Sequence, residues 1–209
     1  MSAYGALAGV YDRLTGDVGY ERRADYIEKQ FGKSRIPVRT VLDLACGTGT
    51  MTWLLTQRGY EVIGVDGSPR MLELARRRFG RASDAEDAED GAGVSLRIGE
   101  LDHLPLRDGE ADFACINLVL HHLSHPEAAI REMARVLRPG GVVLVTDFDR
   151  HQDETMRNVY GDRWLGFTRE ELTTALKAAG LEPVDCRRRE VKMGLALHLV
   201  LARKRGGAF

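Results

Sequence analysis

The sequence predicts an α/β protein built on a mostly parallel sheet of about seven strands. From residue 40 onward, short β-branched runs alternate five times with amphipathic stretches, the pattern left by successive βαβ units. The last two strand-like runs have no long helix between them and so pair antiparallel. A chain of 209 residues, 44% hydrophobic and 29% charged, buries a full core within one domain with additions.

The elements follow in order. TVLDLA is the first strand, and a helix runs from about Thr50 to Arg58. EVIGVD is the second strand. Ser68 is a good N-cap for the helix after it, Pro69 suits its first position, and Met71, Leu72, Leu74 and Ala75 give it one apolar face through Phe79. VSLRIG, ADFACINL and GVVLVTDF supply strands three to five, and EAAIREMARVL is the helix leading into the Pro139-Gly140-Gly141 turn. TREELTTALKAAG has a threonine cap, an acidic first turn and a terminal glycine. LEPVDCRRREV and LALHLVLARK close the sheet. Residues 81–93, with five acids and no large apolar side chain, read as a solvated loop. The first 38 residues read as two short helices, LAGVYDRL and ADYIEKQF. They make a lid over the ligand edge of a domain spanning residues 39–209.

A net charge of -1 gives no electrostatic footprint for nucleic acid or a membrane surface. Cys46, Cys115 and Cys186 are far apart and odd in number, which fits a reducing, cytoplasmic setting. No apolar run approaches the roughly 18 residues that a membrane span needs. The expected partners are a small molecule and, at most, a second copy of the chain in a homodimer.

VLDLACGTGT, residues 41–50, carries the chemistry. Ligands of open α/β sheets bind beyond the carboxyl ends of the strands, which is where this turn lies. Gly47 and Gly49 suggest a dinucleotide fingerprint, but Thr50, Met51 and Thr52 follow and the third glycine is missing. Asp43, within the strand, would repel a pyrophosphate and attract a cation. Asp66 ends the second strand, where a carboxylate accepts both hydroxyls of a ribose. A nucleoside with a cationic, phosphate-free arm satisfies both acids.

Asp43 to Gly49 resembles the first motif of the class I S-adenosylmethionine-dependent methyltransferases, and GVDGSPRMLELA resembles their second. GELDHLPL is similar to their adenine-edge loop, Asn117 opens their fourth motif, and LRPGG looks like the turn before strand five. The resemblance implies a Rossmann-like sheet with a reversed C-terminal strand and S-adenosylmethionine as cofactor. Its site residues would be Tyr11, Asp43, Ala45, Gly47, Gly49, Asp66, Gly67, Met71, Glu100, Leu101 and Asn117. The Leu120–Leu123 segment is similar to the ubiquinone-biosynthesis-like branch, which methylates small molecules. The Tyr11-Asp12 pair, with Asp17 and Tyr20, resembles bacterial relatives in that branch. Residues 147–172 resemble methyltransferase domains fused to ArsR-like regulators, without their DNA-binding module.

Within that fold His121 and His122 follow strand four, where a base would deprotonate the acceptor; the plainer reading is that they cap the next element. Asp147, Asp149 and His151 form a second titratable group facing the crevice. It has too few oxygens for a hard cation, and no metal is expected. Tyr4, Tyr11, Tyr20 and Trp164 are candidates to surround the sulfonium by cation-π contact. The Arg76–Arg78 and Arg187–Arg189 runs read as solvated faces, and Cys46 as a small apolar residue of the turn. Two other readings share the architecture. One is a protein that binds S-adenosylmethionine without methyl transfer, as a regulator or rearrangement catalyst. The other is a nicotinamide-dependent oxidoreductase, disfavoured by the missing glycine.

Overall fold

A computed structural model describes residues 19–80, 93–191 and 194–206. Helix α1 (Tyr20–Gln30) leads into β1 (Thr40–Leu44), α2 (Thr50–Gln57), β2 (Glu61–Asp66), α3 (Pro69–Gly80) and β3 (Val94–Ile98). The second half runs through β4 (Ala111–Asn117), α4 (Pro126–Val136), β5 (Leu137–Phe148) and α5 (Thr155–Tyr160). It ends with α6 (Arg169–Ala178), β6 (Leu181–Glu190) and β7 (Ala196–Lys204). The strands form one sheet in the order β3-β2-β1-β4-β5-β7-β6. All pairs are parallel except those of β7, which runs antiparallel to both β5 and β6. The strand order reverses between β1 and β4, so the crevice beyond their carboxyl ends is the expected ligand position.

Alternation along the strands sorts the core into two faces. Val41, Phe113, Cys115, Leu144 and Leu201 pack with Ile27 of α1 and Leu55 of α2. Leu42, Ala114, Val143, Val145 and Val200 pack with Ile130 and Met133 of α4 and Leu172 and Leu176 of α6. Strands buried on both faces read as near-continuous apolar runs, as β1, β4 and β5 do. No described helix is long and apolar enough to cross a membrane.

Three elements differ from expectation. The Pro139-Gly140-Gly141 turn is a bulge inside β5: the ladder pairs Ala111 with Leu137 and then Phe113 with Val142. Gly140 takes φ 87°, and its carbonyl accepts the Arg35 amide at 3.0 Å. Helix α1 starts at Tyr20 instead of Ala24, after Gly19 in the left-handed region at φ 66°. Helix α5 was not foreseen, since TMRNVY is only six residues long and buries none of them. The LAGVYDRL segment and residues 81–92 of the acidic loop lie outside the described residues, as do Tyr4, Tyr11, Asp12 and Asp17.

Candidate cofactor and acceptor site

At the end of β1 the chain turns sharply through three left-handed residues, Ala45 (φ 54°), Gly47 (φ 57°) and Gly49 (φ 74°). The Cys46 amide donates to the Val65 carbonyl at 3.0 Å, and the Gly47 amide donates to Asp66 Oδ2 at 2.8 Å. A Cβ on Gly49 would stand 2.9 Å from the Ala75 Cβ, so this glycine lets α2 approach α3. The work of the absent third glycine, close helix packing, is thus done at Gly49.

Asp43 sits above this turn, 7% exposed, on the α1/α2 face of the sheet. Its Oδ2 accepts the Thr52 hydroxyl at 2.6 Å, and the Cys115 thiol lies 3.9 Å from Oδ1. No cation pairs with it among the described residues. Burial pushes its pKa from 3.8 to about 6, against the Thr52 hydrogen bond and helped by the nearby Asp66 charge. A buried carboxylate without a counter-ion can take up either a proton or a cation.

Asp66, at the end of β2, accepts the Gly47 amide through Oδ2 and the Ser68 amide through Oδ1, each at 2.8 Å. Burial raises its pKa, and the two amides pull it back. Around it stand the remaining expected residues. Glu100 Oε1 would lie 3.6 Å from a Cβ on Gly67, Met71 is buried in α3, and Leu101 packs at the edge of the core. The structure therefore brings Glu100 to Gly67 beyond the ends of β2 and β3, with Met71 and Leu101 in the segments that follow. Asn117 ends β4, beside the next residue Leu118 in the left-handed region at φ 56°.

A cavity of about 450 Å³ opens between α1 and the ends of β1, β4, β5 and β7. Asp43, Ala45, Cys46 and Asn117 border it on the glycine-turn side. Its body is apolar, with Ile27, Met51, Ile116, Leu144 and Leu199, while Arg22, Arg23 and Arg189 contribute positive charge from α1 and β6. Tyr20 also lines it, as the lid reading expected; Trp164 does not, its indole donating instead to the Leu123 carbonyl at 2.8 Å. Arg189 is the one member of the arginine runs that borders the cavity.

His121 and His122 are elsewhere. They form a short 3-10 turn, and neither lines the cavity. His121 is 3% exposed, with Nδ1 held 2.6 Å from Asp147 Oδ1. Asp147 has the strand parity of Val143 and Val145, so this pair belongs to the α4/α6 face, opposite Asp43. Burial, reinforced by His121, brings the His122 pKa down to about 4. Asp149 is separate from Asp147, bonded to His198 Nε2 at 2.9 Å and Arg188 Nε at 2.6 Å, so the group expected from Asp147, Asp149 and His151 does not assemble. Thr52, the cavity arginines and Asp162 were not foreseen from the sequence. Thr52 alone carried a local signal, one helical turn into α2 and facing back at Asp43.

Residues 42–145 match the family model described as a methyltransferase domain. Over 98% of its length the chain is 30% identical to the malonyl-[acyl-carrier protein] O-methyltransferase of Serratia marcescens, of which it covers 81%. The chain belongs to the methyltransferase-domain family. S-adenosylmethionine is its cofactor. It is also 38% identical, over 54% of its length, to an uncharacterized protein of transposon Tn4556 from Streptomyces fradiae, but spans only 31% of that relative. A [4+2]-cyclase, SpnF, has the same fold at a TM-score of 0.73, with 21% identity, 89% of this chain and 81% of that one covered.

Proposed function

We propose that this methyltransferase transfers the methyl group of S-adenosylmethionine to a small anionic acceptor with an apolar body. The observation that carries the proposal is Asp43, a buried carboxylate without a cationic partner among the described residues, bordering a cavity of about 450 Å³. The cofactor supplies an activated methyl on a sulfonium, which an acceptor nucleophile attacks in line.

The chain's residues do the positioning. Asp43 and the Gly47–Gly49 turn hold the amino-acid arm, Asp66 the ribose hydroxyls, and Met71, Glu100 and the Leu101 amide the adenine. Ala45, Gly67 and Asn117 shape the walls between them, and Tyr11 is a further ligand contact. Ile27, Ile116, Leu144 and Leu199 exclude water from the transfer path, while Arg22 and Arg189 attract a carboxylate or phosphate on the acceptor. An acceptor whose attacking atom is itself the anion, such as a carboxylate oxygen, needs no strong base. This suits a site whose two candidate bases, His121 and His122, belong to the opposite face of the sheet. A catalytic role for either histidine has less support than the positioning roles above.

Incubation with methyl-labelled S-adenosylmethionine and a metabolite extract, followed by mass spectrometry, tests the reading. Label in an anionic small molecule supports it. Cofactor binding with no labelled product under any extract would favour a protein that uses the same site without methyl transfer.

A further inference from the structure

On the α4/α6 face, away from the cavity, His121, His122 and Asp162 bring one nitrogen or oxygen each to within 4.8 Å of one another. Asp162 lies in the turn between α5 and α6, about 40 residues from the histidines, and backbone bonds fix the approach. The Arg163 and Trp164 amides donate to the His121 carbonyl at 2.9 and 3.0 Å. The Asp162 side chain is 1% exposed, and neither of its oxygens has a hydrogen-bond partner. A carboxylate so buried and unpaired costs several kcal/mol unless a charge or donor meets it.

The protons of the neighbours do not meet this charge, and that includes nearby His151, whose buried Nε2 also has no hydrogen-bond partner. His121 Nδ1 is 2.6 Å from Asp147 Oδ1, so in the neutral ring that nitrogen is the donor and Nε2 presents a lone pair. Nε2 stands 3.7 Å from Asp162 Oδ1, and His122 Nδ1 stands 3.4 Å from the same oxygen. These separations are long for hydrogen bonds. They suit a shared cation: bonds of about 2.0–2.1 Å in a tetrahedron put neighbouring ligand atoms about 3.3 Å apart. The carboxylate on the far nitrogen of His121 is the outer partner that metal-ligating imidazoles usually have.

We propose that His121 Nε2, His122 Nδ1 and Asp162 bind a divalent transition metal of the zinc type, with Asp147 orienting His121 and water completing the tetrahedron. Two imidazoles and one carboxylate favour zinc, cobalt or nickel over calcium or magnesium, which want more oxygens. The metal would pin the turn before α6 to the turn after β4, with no part in the transfer step.

The test is metal binding itself, on the full chain stripped by chelator and dialysed. Titration with Co(II) should give the intense visible absorption of a tetrahedral centre at one equivalent, and Zn(II) should displace it. Asp162→Asn, near-isosteric and relieved of the unpaired charge, should lose at least 100-fold in affinity. Asp147→Asn should lose about 10–100-fold. His125→Ala, at an exposed histidine, should bind like the parent. Far-UV circular dichroism of each stripped variant separates lost ligands from lost folding. Binding by Asp162→Asn equal to the parent would overturn the proposal, as would a parent that takes up no Co(II) or Zn(II) at micromolar concentration.

Discussion

Asp43→Asn should make the unliganded protein more stable and its cofactor binding worse. The folded state holds the Asp43 proton more tightly than the unfolded chain, with a pKa near 6 against 3.8. Stability is therefore lost as pH rises from about 4 through 6, and the loss is constant above that. At about 1.36 kcal/mol per pH unit, the full penalty at neutral pH is ~3 kcal/mol. Asparagine does not carry the charge, and its amide oxygen still accepts the Thr52 hydroxyl. Allowing for an imperfect fit of the amide near Cys115, the net gain should be ~1–3 kcal/mol at pH 7.5, or about 2–10 °C in Tm. Urea melts of both proteins at pH 4.5, 6 and 7.5 measure it: the gap should open between pH 4.5 and 6 and then level. In the same variant S-adenosylmethionine affinity should fall about 10–150-fold, the loss of one hydrogen bond to a charged group. A gap that does not vary with pH, or a variant destabilised at pH 7.5, would refute the electrostatic reasoning.

Three other substitutions follow from the geometry. Gly49→Ala combines a left-handed φ of 74° with a Cβ 2.9 Å from that of Ala75, so it should cost ~2–5 kcal/mol in a urea melt and weaken cofactor binding with it. Asp66→Ala removes the acceptor of the Gly47 and Ser68 amides and should raise the Kd for S-adenosylhomocysteine about 10–100-fold by calorimetry; adenosine should lose affinity in parallel if the ribose is what Asp66 holds. Thr168→Ala breaks the capping box with Glu171 at the start of α6 and should lower stability by ~1 kcal/mol while leaving cofactor affinity unchanged.

Local periodicity carried most of the fold. The alternation of β-branched runs with amphipathic helices located β1 to β5, and the absence of a helix between Glu190 and Ala196 marked the antiparallel β6/β7 pair. The Thr168 cap and Glu171 partner were readable because a capping box is spelled within four residues. What escaped depends on contacts far apart in sequence. The Pro139-Gly140-Gly141 stretch has turn chemistry, but pairing of Leu137 with Ala111 draws it into β5 as a bulge. In the site, Asp43, Gly47, Gly49 and Asp66 were legible from spacing along one strand and the next. The surroundings of His121 were not, because Asp147 and Asp162 reach it from 26 and 41 positions away. Strand parity likewise assigns the histidines to the face opposite Asp43, which position after strand four did not disclose.

Calorimetric titration of the chain with S-adenosylmethionine, S-adenosylhomocysteine and NADH shows whether the turn after β1 is built for a cationic, phosphate-free nucleoside. Both adenosyl ligands should bind at micromolar concentration, one per chain, more weakly as pH falls below about 6 where Asp43 takes up its proton, and NADH should not bind. Binding of NADH with none of S-adenosylmethionine would contradict it.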